Sequence, residues 1–244
     1  MADHTQIASA ASILALKARE EILNMTSRAK ASHVGSALSV IEILSVSAIY
    51  STLALQGFFP RKWLDEYCAN GAPLGGHVTS KGVPGVELST GSLGHGLPYG
   101  LGIALSRKLS GVDGRTFVVM SDGECDEGTT WESALLANHH GLKNLTVIID
   151  RNGIQSLKET EETLRLEPFA DKWRAFGWNV HDIDGHDYQS LAMHLVQKDK
   201  PSVIIANTTK GKGVSFMENS VLWHYRPPNE EELLSALSEV QDQK

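Results

Sequence analysis

Two short apolar runs rich in β-branched residues, 116–120 and 145–149, stand between turn residues in the middle of the chain. Runs of that length and composition read as buried parallel strands. Between them, residues 132–139 place apolar side chains at helical spacing, so the unit is strand, helix, strand. Downstream, 169–176 reads as a short helix with Trp173 and Phe176 in the core, 178–183 as a strand, 188–197 as a helix and 201–207 as a last strand. This alternation predicts an α/β fold, a doubly wound parallel sheet flanked by helices. Upstream the period lengthens. Ile7, Ala11, Leu14, Ala18 and Ile22 recur at three- and four-residue steps with charges between them, an amphipathic helix over 5–29. A loop of small residues, 30–39, opens a second helix over 40–54. A short helix follows at 62–68 and a longer one at 98–109, where Gly102 and Ala104 read as close-packing positions. Residues 155–165 are polar and read as a loop, 184–187 as a capping turn, and 230–243 as an acidic closing helix. The expectation is one domain over 1–244, with a helical N-terminal extension and a short C-terminal helix.

Bulk properties narrow the chemistry. With 244 residues, 41% of them hydrophobic and 21% charged, the chain can bury a substantial core. A net charge of −7 disfavours nucleic acid and anionic membrane surfaces as partners, so any phosphorylated ligand must be held by a local site. Two cysteines make no disulfide framework, which points to a reducing cytoplasm. No run of about 18 apolar residues is present, so no membrane span is expected.

The candidate chemistry lies where the first two strands end. Asp122-Gly123 follows one strand, and Asn152-Gly153 follows the next, thirty positions later. Taken singly, each pair is ordinary turn chemistry. Together they put a carboxylate and an amide oxygen at the carboxyl ends of neighbouring parallel strands, where ligands collect in open sheets. That is half of an oxygen shell for Mg²⁺, which takes its remaining ligands from water and a phosphorylated molecule. The glycine-punctuated segment 82–97, opening the helix at 98, adds backbone amides suited to a diphosphate. His33 sits in the small-residue loop, away from an apolar run, where a histidine is more often a surface residue.

These residues carry a resemblance. Asp122-Gly123 with Asn152 thirty positions on resembles the thiamine diphosphate fingerprint, Gly-Asp-Gly followed by Asn. The run from Ser121 to Gly128, Trp131-Glu132, the loop Thr90-Gly91-Ser92-Leu93-Gly94-His95-Gly96, and the run Lys210-Gly211-Lys212-Gly213-Val214 through Asn219, followed by Trp223-His224, are similar to transketolases, over almost all of 5–235. The resemblance implies a metal held by Asp122, Asn152 and the carbonyl of Ile154. It implies a cofactor lined by Gly91, Leu93, Gly123 and His224, and a sugar oriented by His33, His77 and His224. Glu127 and Glu132 would lie at a subunit interface.

The departures are specific. Ser121 and His95 replace Gly and Gln, Gly76 replaces Pro, and Tyr225 follows His224 where the family has Gly. Some two dozen residues carrying a Ser-Lys-Gly-His segment are missing after Tyr50, through a deletion or a mobile loop left out of the chain. The family's pyrimidine-binding domain, which carries the glutamate that activates the cofactor, does not follow Lys244. The resemblance therefore implies the N-terminal subunit of a split transketolase. Its cofactors would be thiamine diphosphate and Mg²⁺, its partner a C-terminal subunit in a heterotetramer, and its reaction two-carbon ketol transfer between sugars or sugar phosphates. The alternatives are a specialised ketol or acyl transferase of sugar or natural-product metabolism, and a non-catalytic remnant.

Overall fold

The computed structural model describes residues 4–41, 46–196 and 199–243. Its elements are α1 (His4–Ala29), α2 (Val34–Ser39), α3 (Val46–Leu55), α4 (Gly96–Ser110), β1 (Thr116–Ser121), α5 (Gly128–His139), β2 (Leu145–Arg151) and α6 (Thr160–Thr163). They continue with α7 (Phe169–Ala175), β3 (Asn179–Asp184), α8 (Tyr188–His194), β4 (Ser202–Asn207) and α9 (Glu230–Gln241). Two compact units result. One holds residues 92–208 with the first few of the chain, the other 6–91 and 209–244.

The first unit is a four-stranded, fully parallel sheet in the order β1-β2-β4-β3. Central β2 is buried from Leu145 through Asp150, and β4 from Ser202 through Ala206. Edge strand β1 alternates, with Val118 and Met120 inside and Phe117 and Val119 exposed. A strand covered on both faces must be apolar throughout, whereas an edge strand needs one apolar face. Helix α4 packs on β1 and β2, and α7 and α8 on β3. Leu97, Val118, Val147, Ile149, Phe169, Trp173, Trp178 and Val203 make one core. Each such side chain contributes about 1.5–3 kcal/mol by leaving water. The Trp178 indole donates to the carbonyl of Ala134 at 2.9 Å, so its polar edge is also satisfied.

The second unit is helical. Met25, Tyr50, Phe59, Leu64, Tyr67 and Leu74 form its core.

Several elements differ from expectation. The close-packing glycine of α4 is Gly100, where a Cβ would collide with Val118; Gly102 has nothing within 4 Å. A separate short helix, α2 (Val34–Ser39), stands within the expected loop, entered through the left-handed conformation of His33 (φ 73°), and the helix expected over 40–54 corresponds to α3 (Val46–Leu55). Residues 42–45 of that expected helix lie outside the described residues, as do 197 and 198 at the end of the helix expected over 188–197. The segment expected as a helix over 62–68 is a 3₁₀ turn (Arg61–Glu66). Tyr50 and Ser51, where the family's extra segment would fall, are consecutive residues inside α3. The turn at 184–187 caps as expected: Asp187 accepts from the amides of Gln189 (2.9 Å) and Ser190 (3.3 Å).

Candidate functional site

Each unit assembles one cluster of chemically capable side chains. In the sheet unit, parallel pairing sets Ser121 opposite Asp150, so Asp122 and Asn152 emerge past the same edge. Asp122 is 1% exposed. Its Oδ1 accepts from the Gly123 amide at 2.7 Å; its Oδ2 accepts from the Gly153 amide at 2.8 Å and from Arg151 Nη1 at 3.2 Å. Asn152 is held by Asp150, which accepts from its Nδ2 at 2.7 Å, and its Oδ1 accepts from the Ile154 amide at 3.0 Å. Asp150 also accepts from the Thr208 hydroxyl on the next strand's exit. The amide orientation of Asn152 is thereby fixed by two partners.

Gly123 sits against Gln155, and a Cβ there would lie 3.0 Å from Gln155 Cγ. Gln155 donates to Asp126 Oδ2 at 2.7 Å, while Asp126 Oδ1 is buried and lacks a hydrogen-bond partner. Burial pushes the Asp126 carboxyl up, as it does that of Glu124. The glycine loop before α4 is held from below: the Gly94 amide donates to Glu124 Oε1 at 3.0 Å, and its carbonyl accepts from Thr129 at 2.7 Å. That amide, one of those expected to face a diphosphate, is committed to Glu124. Leu93 beside it is exposed, as is Glu127, while Glu132 is also exposed in α5.

In the helical unit the structure brings together His33, His77 and His224, which come from three distant segments. The His33 ring lies 4.9 Å from that of His224 and 6.4 Å from that of His77. The backbone does the gathering. His33 N–H donates to the His224 carbonyl at 2.6 Å, the Gly211 amide to the Gly35 carbonyl at 2.9 Å, and Gly35 lies against Trp223. His77 is fixed through its carbonyl by the Tyr50 hydroxyl at 3.0 Å. Gly91, at φ +127°, passes so close to His77 that a Cβ would sit 2.6 Å from its ring. A glycine is required there on both counts.

Two further residues join this cluster: Lys210, which opens the family-like run 210–219 but carries no expected role there, and Tyr225, the departure from the family after His224. Lys210 is 1% exposed, with Nζ 3.1 Å from His224 Nδ1. An ammonium can only donate, so Nδ1 accepts and the His224 proton sits on Nε2. The available signal is a lysine between strand β4 and a glycine. Tyr225 stacks at a tilt 4.8 Å from His224. Burial, then Lys210 and His33, lower the His224 pKa to about 4; burial, then His77 and Lys210, lower that of His33. Both rings are neutral at pH 7 and can donate or accept hydrogen bonds without carrying charge.

Comparison with known proteins identifies the family. The family described as "Transketolase, thiamine diphosphate binding domain" matches residues 40–240. The chain belongs to the transketolase family. It is 36% identical to a subunit of the apulose-4-phosphate transketolase of Phocaeicola vulgatus, covering 93% of this chain and 92% of that one. It is 38% identical to the 6-deoxy-6-sulfo-D-fructose transketolase subunit of a Clostridium species, over 80% of this chain and 72% of the other. Among solved structures, transketolase of Campylobacter jejuni superposes with a TM-score of 0.87 at 27% identity, over 94% of this chain but 43% of that one. In extent, this transketolase-family chain therefore matches a separate subunit nearly end to end and spans less than half of the single-chain enzyme. The parallel sheet with flanking helices is the fold of the family's thiamine diphosphate binding domain. Among the described residues no helix is long and apolar enough to cross a membrane.

Proposed function

We propose that this chain is the diphosphate-binding subunit of a two-chain transketolase that moves a two-carbon ketol unit from a ketose or ketose phosphate to an aldose. The observation that carries the reading is the nearly end-to-end likeness to a relative named as one transketolase subunit, by a chain that spans 43% of a single-chain transketolase. Both compact units belong, in this reading, to one diphosphate-binding domain, because the family match runs through both.

The residues present fit Mg²⁺ and a diphosphate. Asp122, Asn152 and Ile154 offer a carboxylate, an amide oxygen and a carbonyl, all hard donors of the kind Mg²⁺ takes. At Gly123, where a Cβ would press on Gln155, the backbone stays bare for close approach of a ligand. Asp122, Asn152 and the Ile154 carbonyl would hold the metal, and Gly91, Leu93 and Gly123 would line the cofactor. Thiamine diphosphate, when bound, supplies the carbanion chemistry that breaks and forms a carbon–carbon bond beside a carbonyl. His224 Nε2–H would donate to the oxygen on which charge develops, and His33 and His77 would orient sugar hydroxyls. Lys210, by fixing the tautomer of His224, is a positioning residue.

The partner in this reading is a chain carrying the pyrimidine-binding domain, in a heterotetramer with Glu127 and Glu132 at the interface. Tyr99, Ile103 and Val112 support a protein partner, since they expose apolar surface along one groove of α4. The compartment is the cytoplasm, where the free thiols of Cys68 and Cys125 persist. A specialised sugar substrate is favoured by Tyr225 beside His224 and by the two relatives named for unusual sugars.

Calorimetric titration of thiamine diphosphate with Mg²⁺ tests the reading, on the chain alone and combined with its partner subunit. Tight binding in the mixture, abolished by Asp122→Ala, is expected. Absence of binding in both overturns it.

A further inference from the structure

Arg151 is the last residue of β2, between Asp150 and the amide donor Asn152, and its side chain is 11% exposed. One guanidinium serves three carboxylates. Nη1 donates to Asp122 Oδ2 at 3.2 Å, and Nη2 donates to Glu161 at 2.8 Å and to Glu167 at 3.1 Å. Its planar fork also lies 5.4 Å from the Phe169 ring centre, which limits its swing. Burial works against its charge, but hydrogen bonding and attraction from Glu161, Asp122 and Glu167 outweigh that and hold its pKa above the ordinary value.

The two ends of this network differ in what they would lose. Asp122 is buried, and a buried carboxylate without a cation is costly. Glu161 and Glu167 have side chains 35% and 57% exposed, and each is also held by backbone amides: Leu166 and Glu167 donate to Glu161, and Phe169 donates to Glu167. They can receive a guanidinium or do without one. A divalent cation at Asp122 needs the carboxylate lone pairs, of which Gly123, Gly153 and Arg151 already take three of about four. It also repels a positive charge placed on the same carboxylate.

We propose that Arg151 is an exchangeable counter-ion of the metal carboxylate, competing with the divalent cation for Asp122 and, when the ion binds, releasing Asp122 while Glu161 and Glu167 keep the guanidinium. The exchange couples metal loading to the segment 159–168, which the same guanidinium ties down. A residue that merely supported the site would weaken metal binding when removed. A competitor strengthens it, and the sign separates the two.

The inference rests on the Mg²⁺–diphosphate reading above, so the experiment reads both. Mg²⁺ is titrated calorimetrically, with saturating thiamine diphosphate, into the full chain combined with its partner subunit. Arg151→Met is expected to bind Mg²⁺ about tenfold more tightly than wild type, the size of one charge–charge contact of modest strength. Glu161→Gln with Glu167→Gln removes the carboxylates that keep the guanidinium and is expected to weaken Mg²⁺ about threefold. In thermal melts, Arg151→Met should fall further below wild type without Mg²⁺ than with Mg²⁺ and thiamine diphosphate. If wild type takes up no Mg²⁺, the cofactor reading itself fails. If wild type binds and Arg151→Met binds equally or more weakly, the exchange is overturned. Should Arg151→Met not fold, the exposed double glutamine variant decides alone: unchanged or tighter Mg²⁺ overturns the proposal.

Discussion

The carboxylate cluster past β1 and β2 and the histidine cluster of the helical unit solve opposite problems. The first collects hard oxygens at two consecutive strand ends, and the sheet register delivers them without long-range help. The second collects nitrogens from segments around residues 33, 77 and 224, and needs backbone bonds such as His33 N–H to His224 C=O to hold them. The first keeps its charge and neutralises it with Arg151. The second keeps His224 uncharged at pH 7, through burial and the neighbouring Lys210 ammonium. A metal-and-phosphate site needs retained charge, and a site that steadies developing charge on a sugar needs neutral donors.

The largest expected effect breaks the first cluster. In the complex with its partner, Asp122→Ala should lower turnover at least about a thousandfold, because a lost metal carboxylate removes several kcal/mol of organisation at once. His224→Ala should cost about a hundredfold, the size of one donor or proton-transfer group. Assays of ketol transfer on both variants check the order. Equal losses would mean that the clusters are not divided into anchoring and assisting roles.

A second contrast is in glycines. Gly91→Ala forces a side chain into φ +127° and against His77, and should destabilise the chain by about 2 kcal/mol. Gly102→Ala, in α4 with open space around its Cβ, should stabilise it by about 0.5–1 kcal/mol. Denaturant melts of the isolated chain read both, and a neutral Gly91→Ala would sink the claimed close approach.

How far each region is legible in the sequence follows from the same difference. The strands at 116–120 and 145–149, Asp122 and Asn152 can be read locally, because a parallel strand announces itself by an apolar run and its ligands follow directly. Arg151 escapes such a reading because its role depends on Glu161, set in a stretch that reads as a polar loop, and on Glu167 just beyond it. The three histidines are found through resemblance; no local pattern links residues 33, 77 and 224. Lys210 opens a run that resembles the family, but its place beside His224 is not legible, because burial of a lysine is decided by tertiary packing. Gly102 competes with Gly100 in the sequence because spacing alone does not say which of two glycines on a helix faces the sheet.

The pH dependence sharpens the contrast in charge. His224 has a folded pKa of about 4 against 6.5 unfolded, so between these values the unfolded chain binds the proton and the folded one does not. Its contribution is present above pH 6.5 and is lost as pH falls toward 4. His33 is shifted in the same direction. Partial exposure reduces the effect to about 1 kcal/mol. Melts of wild type and His224→Gln across pH 4–7.5 should converge at low pH, and parallel curves would contradict the neutral cluster.

The smallest effect concerns choice of sugar. The Tyr225 ring is 57% exposed, tilted 4.8 Å from His224 and 6.3 Å from His33. It therefore walls the histidine cluster without holding it together, and Tyr225→Gly should change stability by less than about 0.5 kcal/mol. A wall acts on the part of a substrate that reaches it. Removing it should lower KM for longer or branched donors about threefold to tenfold while leaving kcat within about twofold. Donors of graded length separate this from a general loosening of His224, which would lower kcat for every donor alike. A uniform kcat loss would transfer Tyr225 from the specificity wall to the support of the catalytic histidine, and would make the helical cluster a unit of five residues.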